Sequence, residues 1–336
     1  MPPPPGSVER WAYDFVTGVD LERKLAPPPP PDAWQEGAPP RRLDQPGRPP
    51  GLVVATSSPR TPGRDALRDG RRRAQLFHTF LHHELQAAEL MAWALLAFPA
   101  APAALRRGFL RVALDEIRHV GLYGDLLAGL GYRVGDFPVR DWFWQRVPSC
   151  ASVEQFLAVM GVGFEGGNLD HAPRFAARLR EAGDPAGARV QEVIGEEEIA
   201  HVHLATTWLG RLGGGLRFAA WGALLPPPLS PMLFRGKPLN LRDRARAGFD
   251  ADFLGALDAW QPEPSAGVGP AGGPAGKGPP GPSAGVGRAG SPAGVGPTGS
   301  HAGVDPAGSP AEGLPGPSAA APAAPEAPAC DRSPGS

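Results

Sequence analysis

The sequence predicts an all-α fold built on four long helices, and three observations predict it. Apolar residues recur at helical spacing in four windows, Gly- and Pro-containing breakers fall between the windows, and no stretch reads as a strand. The helices occupy only the middle of the 336-residue chain, because its 46 glycines and 44 prolines crowd toward the two ends. Residues 1–65 read as an extended, proline-rich N-terminal arm with short helices around Trp11, Phe15, Leu21 and Leu25. Residues 66–212 hold the four helices, and 213–260 read as a C-terminal arm with a short helix. Residues 261–336 are almost all Gly, Pro, Ala and Ser, with AGVG at 284 and 293 and AGVD at 302. They have little to bury and read as a disordered C-terminal tail.

The first helix spans about 70–97, where Phe77, Leu81, Ala88, Met91 and Leu95 form one stripe before FPAAP stops it. The second runs over 102–130 on Phe109, Val112, Val120, Tyr123, Leu127 and Leu130. The third covers 152–182, on Ala158, Val162, Leu169, Ala172, Ala176 and Leu179. The fourth covers 186–212, on Val190, Ile194, Ala205, Trp208 and Leu212. Between the last two lies AGDP, where Gly can end one helix and Asp can cap the next. The second connection, 131–151, is too long for a hairpin turn. Its Phe137, Trp142, Phe143 and Trp144 fit a crossover packed along the helices. Two short connections around one long crossover between helices two and three are the ferritin-like variant of the four-helix bundle.

Composition excludes several functions. A net charge of −1 gives no global field for nucleic acid or an anionic membrane. The run RDGRRR at 68–73 reads as a solvated helix entry. Two cysteines, one of them Cys330 in the tail, do not make a disulfide framework. The start MPPPPGSVER does not read as a signal peptide, and Pro99 and Pro102 break the most apolar run too early for a membrane span. The expected location is cytoplasmic.

Each stripe carries polar residues of one kind. Glu84 interrupts the first, Glu116 and His119 the second, Glu165 the third, and Glu198 and His201 the fourth. An i,i+3 pair points the same way from a helix, so each Glu-x-x-His acts as a unit. Glu84 and Glu116 are equidistant from the FPAAP turn, and Glu165 and Glu198 from AGDP, which brings all four carboxylates to one level. Burying four carboxylates together is prohibitive unless positive charge joins them. Two divalent cations supply it, and oxygen-rich ligation with one His each suits two iron ions, with manganese as the alternative.

Other candidates are weaker. Glu89 is a rival ligand on the first helix, but it breaks the level match. His78 and His82, at i,i+4, could chelate zinc, although a solvated or arm-covered pair is the preferred reading. His83 and His203 flank ligands and are expected to pack beside them. GVGFEGGN at 161–168 places four glycines around Glu165, each costing about 1 kcal/mol relative to Ala in a helix interior. Close packing or a local bulge explains them on one reading. On the other, they leave room for oxygen or substrate, with Asn168 and Asp170 as polar groups near that space.

With these residues in view, the sequence resembles a bacterial ferritin-like family of unknown function. The resemblance runs through DLERKLAPPPPPDAW, FLHHELQAAELMAWALLAFP, DEIRH, FPVRDWFW, GFEGGNLDH, GEEEIAHVH and PLSPMLFRGKPLN. More distantly, DEIRH at 115–119 is similar to the motif of oxygen-activating di-iron enzymes such as acyl carrier protein desaturases. That resemblance implies that Asp115 and Glu197 accept from ligand histidines, Asp115 from His201 and Glu197 from His119, with Arg118 beside them. The fourth helix departs from the motif at Ala200, so a symmetric pair of arginines is not expected.

The function expected from this pattern is an oxygen-dependent di-iron oxidoreductase, a hydroxylase or oxidase. The protein would position the metals, and an external electron donor would supply reducing equivalents. A loose fold-level resemblance to a di-iron tRNA hydroxylase implies tRNA as a substrate by analogy only. The alternatives are iron handling, as ferroxidase or in peroxide removal, and a non-catalytic scaffold stapled by metal. The chain contains no CxxC, which disfavours a peroxidase with its own Cys-rich electron-entry domain.

Overall fold

In the computed structural model, which describes residues 1–56, 63 and 65–262, the N-terminal arm holds two short helices. Ser7 caps α1 (Val8–Thr17) and Asp20 caps α2 (Leu21–Leu25), each accepting a backbone N–H in the first turn. Asp69 caps α3 (Gly70–Ala97) in the same way. After the FPAAP turn comes α4 (Ala103–Gly129). The third long helix is composite: α5 (Val153–Phe156), a π-helical run Leu157–Glu165, and α6 (Gly166–Glu181). Gly183, at φ +83°, then reverses the chain, and Asp184 caps α7 (Pro185–Gly213), with Pro185 at its first position. Three shorter helices follow: α8 (Phe218–Leu224), α9 (Leu241–Arg246) and α10 (Ala251–Ala259). The expected tail lies, from residue 263, outside the described residues.

The chain is all-helical among the described residues, apart from one isolated bridge between Val54 and Val139. α3 packs on α4, α6 and the π-helical run pack on α7, and the two hairpins meet where α4 touches α7. Their apolar stripes share one core, in which Phe77, Phe109, Phe156 and Trp93 are almost wholly buried. Among the described residues, no helix is long and apolar enough to cross a membrane.

A second stripe on α3 holds the crossover down. His78, His82, Gln86 and Glu89 recur at helical spacing and are all buried. The backbone N–H of Gly135 donates to Nε2 of His78 at 2.9 Å, and Nε2 of His82 lies 2.9 Å from Oδ1 of Asp141. Gln86 donates to the carbonyl of Arg140 (3.2 Å) and accepts from the N–H of Phe143 (3.1 Å). The indole N–H of Trp144 donates to Glu89 at 2.8 Å. The arm joins the same network, since Lys24 and Arg48 each reach Glu89 at 2.6 Å and Arg48 pairs with Asp141 at 2.8 Å. His78 and His82 therefore fix the crossover, and Glu89 answers to two cations.

The C-terminal segment docks where Pro173 breaks the ladder of α6. A proline has no N–H, so the carbonyl of Leu169 loses its partner; the side-chain amide of Asn240 donates to it instead, at 3.1 Å. Asp170 accepts from the N–H groups of Gly236 and Asn240, both at 2.7 Å, and pairs with buried Arg244 at 2.7 Å. All of its bonds serve to hold this segment, which corrects the expectation that it faces open space beside the metals.

Candidate metal centre

The four long helices deliver six side chains to one buried place: Glu84 from α3, Glu116 and His119 from α4, Glu165 from the end of the π-helical run, and Glu198 and His201 from α7. None is more than 7 % exposed. They form two groups able to hold a metal ion, each with ligand atoms within 4.8 Å of one another. One group is Glu84, Glu116, His119 and Glu198; the other is Glu116, Glu165, Glu198 and His201. Glu116 and Glu198 belong to both. The imidazoles lie side by side, with centroids 5.8 Å apart.

Each imidazole turns Nδ1 inward. That of His119 lies 3.2 Å from Glu116 and 3.6 Å from Glu84, and that of His201 lies 3.0 Å from Glu116 and 3.3 Å from Glu198. Yet Nδ1 of His201 is close to Oε1 of Glu116 and Oε2 of Glu198 without the alignment of a hydrogen bond, so these three atoms and Oε1 of Glu165 stay unsatisfied. Buried polar atoms are nearly always satisfied. Four orphans converging on one spot are what a missing cation would leave, so the donor set fits a metal.

The protonation states tell the same story. Burial, then the charge of Glu116, raises the Glu84 carboxyl well above its usual range; burial, then Glu198, does the same to Glu165. Burial also opposes charge on Glu116, yet the two imidazoles hold it below the carboxylate range. Burial opposes the His119 cation too, but Glu116 and Glu84 carry it up to about 11. Without metal, protons on His and Glu supply the positive charge that the cluster lacks.

The outer nitrogen of each imidazole faces a carboxylate of the neighbouring helix. Nε2 of His119 lies 2.7 Å from Glu197, which also binds Arg118, and Nε2 of His201 lies 3.3 Å from Asp115. Asn168 donates to Oε1 of Glu198 at 3.0 Å. His83 is half-buried against Phe143 and His203 is exposed. The glycines do not open space: a Cβ on Gly161 would lie 2.3 Å from that of Ala205, and one on Gly163 would lie 2.9 Å from the Phe234 ring. They permit close packing within the π-helical run, which corrects the reading of room for oxygen or substrate at these positions.

Sequence reasoning overlooked one polar pair. Gln191 donates to the hydroxyl of Tyr123 at 2.6 Å, both being buried. Burial and the charges of Glu84, Glu198 and Glu116 raise the phenol well above its usual range, so it stays protonated beside the cluster. The signal was available: Tyr123 follows His119 by four residues and Gln191 precedes Glu198 by seven, positions that share a helix face.

Residues 17–255 match the model of a family described as "Protein of unknown function (DUF455)". An uncharacterized protein of Haemophilus influenzae is 28% identical over 146 residues, which are 43% of this chain and 50% of that protein. This chain therefore spans about half the length of that relative. No solved structure matches.

Proposed function

The chain belongs to the DUF455 family of unknown function, and we propose that it is a ferritin-like four-helix-bundle dimetal protein, an oxygen-dependent oxidoreductase of the hydroxylase or oxidase type. The observation that carries this reading is that two four-residue groups share two carboxylates, Glu116 and Glu198. A single structural ion needs no such doubling. In di-iron carboxylate bundles a Glu comes from each of two helices and a Glu-x-x-His from each of the other two, the inventory present here. Oxygen-rich ligation with one imidazole per metal favours iron, with manganese second.

When bound, a ferrous pair supplies electrons for the reduction of dioxygen. The chain's own residues prepare the place. Glu197 and Asp115 take the outer N–H of His119 and His201, which leaves each Nδ1 lone pair facing inward. Asn168 fixes one oxygen of Glu198 and leaves the other free. Glu84 and Glu165 each belong to one group only, so each can serve one metal. The apolar core around all six excludes water. Reducing equivalents must come from a partner, because the two cysteines at 150 and 330 cannot hold an iron–sulfur or rubredoxin-like site.

The test is to load the full chain with ferrous iron anaerobically, admit oxygen, and follow visible absorption, oxygen consumption and iron content together. Oxygen use with about two iron per chain supports the proposal. Continued uptake of many iron atoms per chain would indicate storage. No oxygen use by an iron-loaded protein would leave a metal-stapled scaffold.

A further inference from the structure

At the edge of the core, the crossover and the π-helical run bring together aromatic rings that pack on it without being fully buried. Trp142, Phe143 and Phe164 are each only half-buried. Phe143 stacks on Phe164 with centroids 4.6 Å apart and planes 20° from parallel, and Trp142 meets Phe164 edge-on at 5.1 Å. The shelf adjoins His83, whose ring lies 5.2 Å from that of Phe143. His83 and Phe164 are the chain neighbours of Glu84 and Glu165, so the shelf lies at the level of the two carboxylates that the metal groups do not share, about a quarter turn around each helix from them. Its backing is rigid, because Gln86, with 0 % exposure, grips the backbone on both sides of Trp142.

One guanidinium group covers the shelf, and a second acts on it. Arg146 lies over the Trp142 ring at 3.9 Å and donates to the Trp142 carbonyl. Burial, then the charge of half-buried Arg140, lowers the pKa of Arg146. Neither forms an ion pair among the described residues, and the Nε of each is buried without a partner. Two like charges held together with no counter-ion, beside half-exposed rings, call for an anion attached to a planar group. A doubly charged phosphate answers two guanidiniums better than a single carboxylate does, and a heteroaromatic ring answers aromatic faces.

We propose that Trp142, Phe143 and Phe164, with Arg140 and Arg146, form a recognition site for a nucleotide, the rings receiving the base and the arginines the phosphate. Resting on the dimetal reading, this site places a nucleotide unit as substrate on the Glu84–Glu165 side of the centre. The nucleotide is either free or part of a single strand; the chemistry recognised is the same.

The metal-free full chain is titrated calorimetrically with AMP, adenosine and inorganic phosphate. AMP should bind at least about tenfold more tightly than either half, a gain of roughly one decade in Kd. The doubly altered chain Arg140→Gln/Arg146→Gln should lose that advantage over adenosine, and Trp142→Ala should weaken both AMP and adenosine. Binding of AMP no tighter than that of phosphate overturns the proposal, as does unchanged affinity in the double variant. Should the variants not fold, the three-ligand comparison on the unaltered chain still decides. A single-stranded RNA hexamer binding more tightly than AMP assigns the nucleotide to a strand, and equal affinity assigns it to the free pool. Because no metal is present, nucleotide binding without later iron binding would sink only the dimetal reading, and iron binding without nucleotide binding only this site.

Discussion

Replacing Glu89 with Gln removes one charge from a buried carboxylate that answers to two cations. Glu89 has 0 % exposure and meets Lys24, Arg48 and the Trp144 indole within 2.9 Å. The variant leaves the Lys24 ammonium, itself 1 % exposed, with no carboxylate partner, whereas Arg48 keeps Asp141. Removing one partner of a buried pair costs roughly 3–5 kcal/mol. The lysine also sets a ceiling: shedding its proton near neutral pH from an ordinary value of 10.5 costs at most about 5 kcal/mol. For a domain of this size, about 2–4 °C per kcal/mol turns the loss into a fall in Tm of roughly 6–20 °C. The assay pairs thermal unfolding of the metal-free protein with iron content after loading. Stability should fall while iron content stays at the wild-type level. A loss under about 1 kcal/mol would refute the network's role, and loss of iron would show Glu89 to be a ligand after all.

Shared and unshared ligands should separate by stoichiometry. Glu84→Gln or Glu165→Gln should leave roughly one metal per chain, while Glu116→Gln or Glu198→Gln should remove both, as read by elemental analysis. Burial, then His82, lowers the pKa of His78 from 6.5 to about 4, and its Nε2 accepts the Gly135 N–H only when neutral. The unfolded chain therefore protonates first, so the stability this residue contributes is complete above pH 6.5 and lost as pH falls through about 4. Denaturant midpoints across that window should fall less steeply for His78→Gln than for wild type. Gly161→Ala should cost about 1–3 kcal/mol in chemical unfolding by overpacking against Ala205, and adding Ala205→Gly should recover most of it.

The four long helices were legible because each had both a stripe and a stop. The expected 70–97 is Gly70–Ala97 in the structure, and 186–212 is Pro185–Gly213, since Asp69, Asp184 and the FPAAP and AGDP breakers act locally. The six acidic and imidazole positions stood out because they violate those stripes. What escaped depended on distant partners. Asp170 could not be separated from a site residue without knowing that Arg244, 74 positions on, pairs with it. Glu89, His78 and His82 looked like metal candidates until the crossover and arm were seen to cover them. The glycines around Glu165 left packing and open space equally readable, because the occupants of that space, Ala205 and Phe234, come from other segments. The π-helical run has no local apolar period that distinguishes it from an α-helix.

Anomalous diffraction from crystals of the full chain loaded with ferrous iron is the most direct measurement. Two iron peaks should lie between Glu116 and Glu198, one also bounded by Glu84 and His119, the other by Glu165 and His201. A single peak, or iron bound anywhere else while those six side chains keep their places, would contradict a shared two-metal centre.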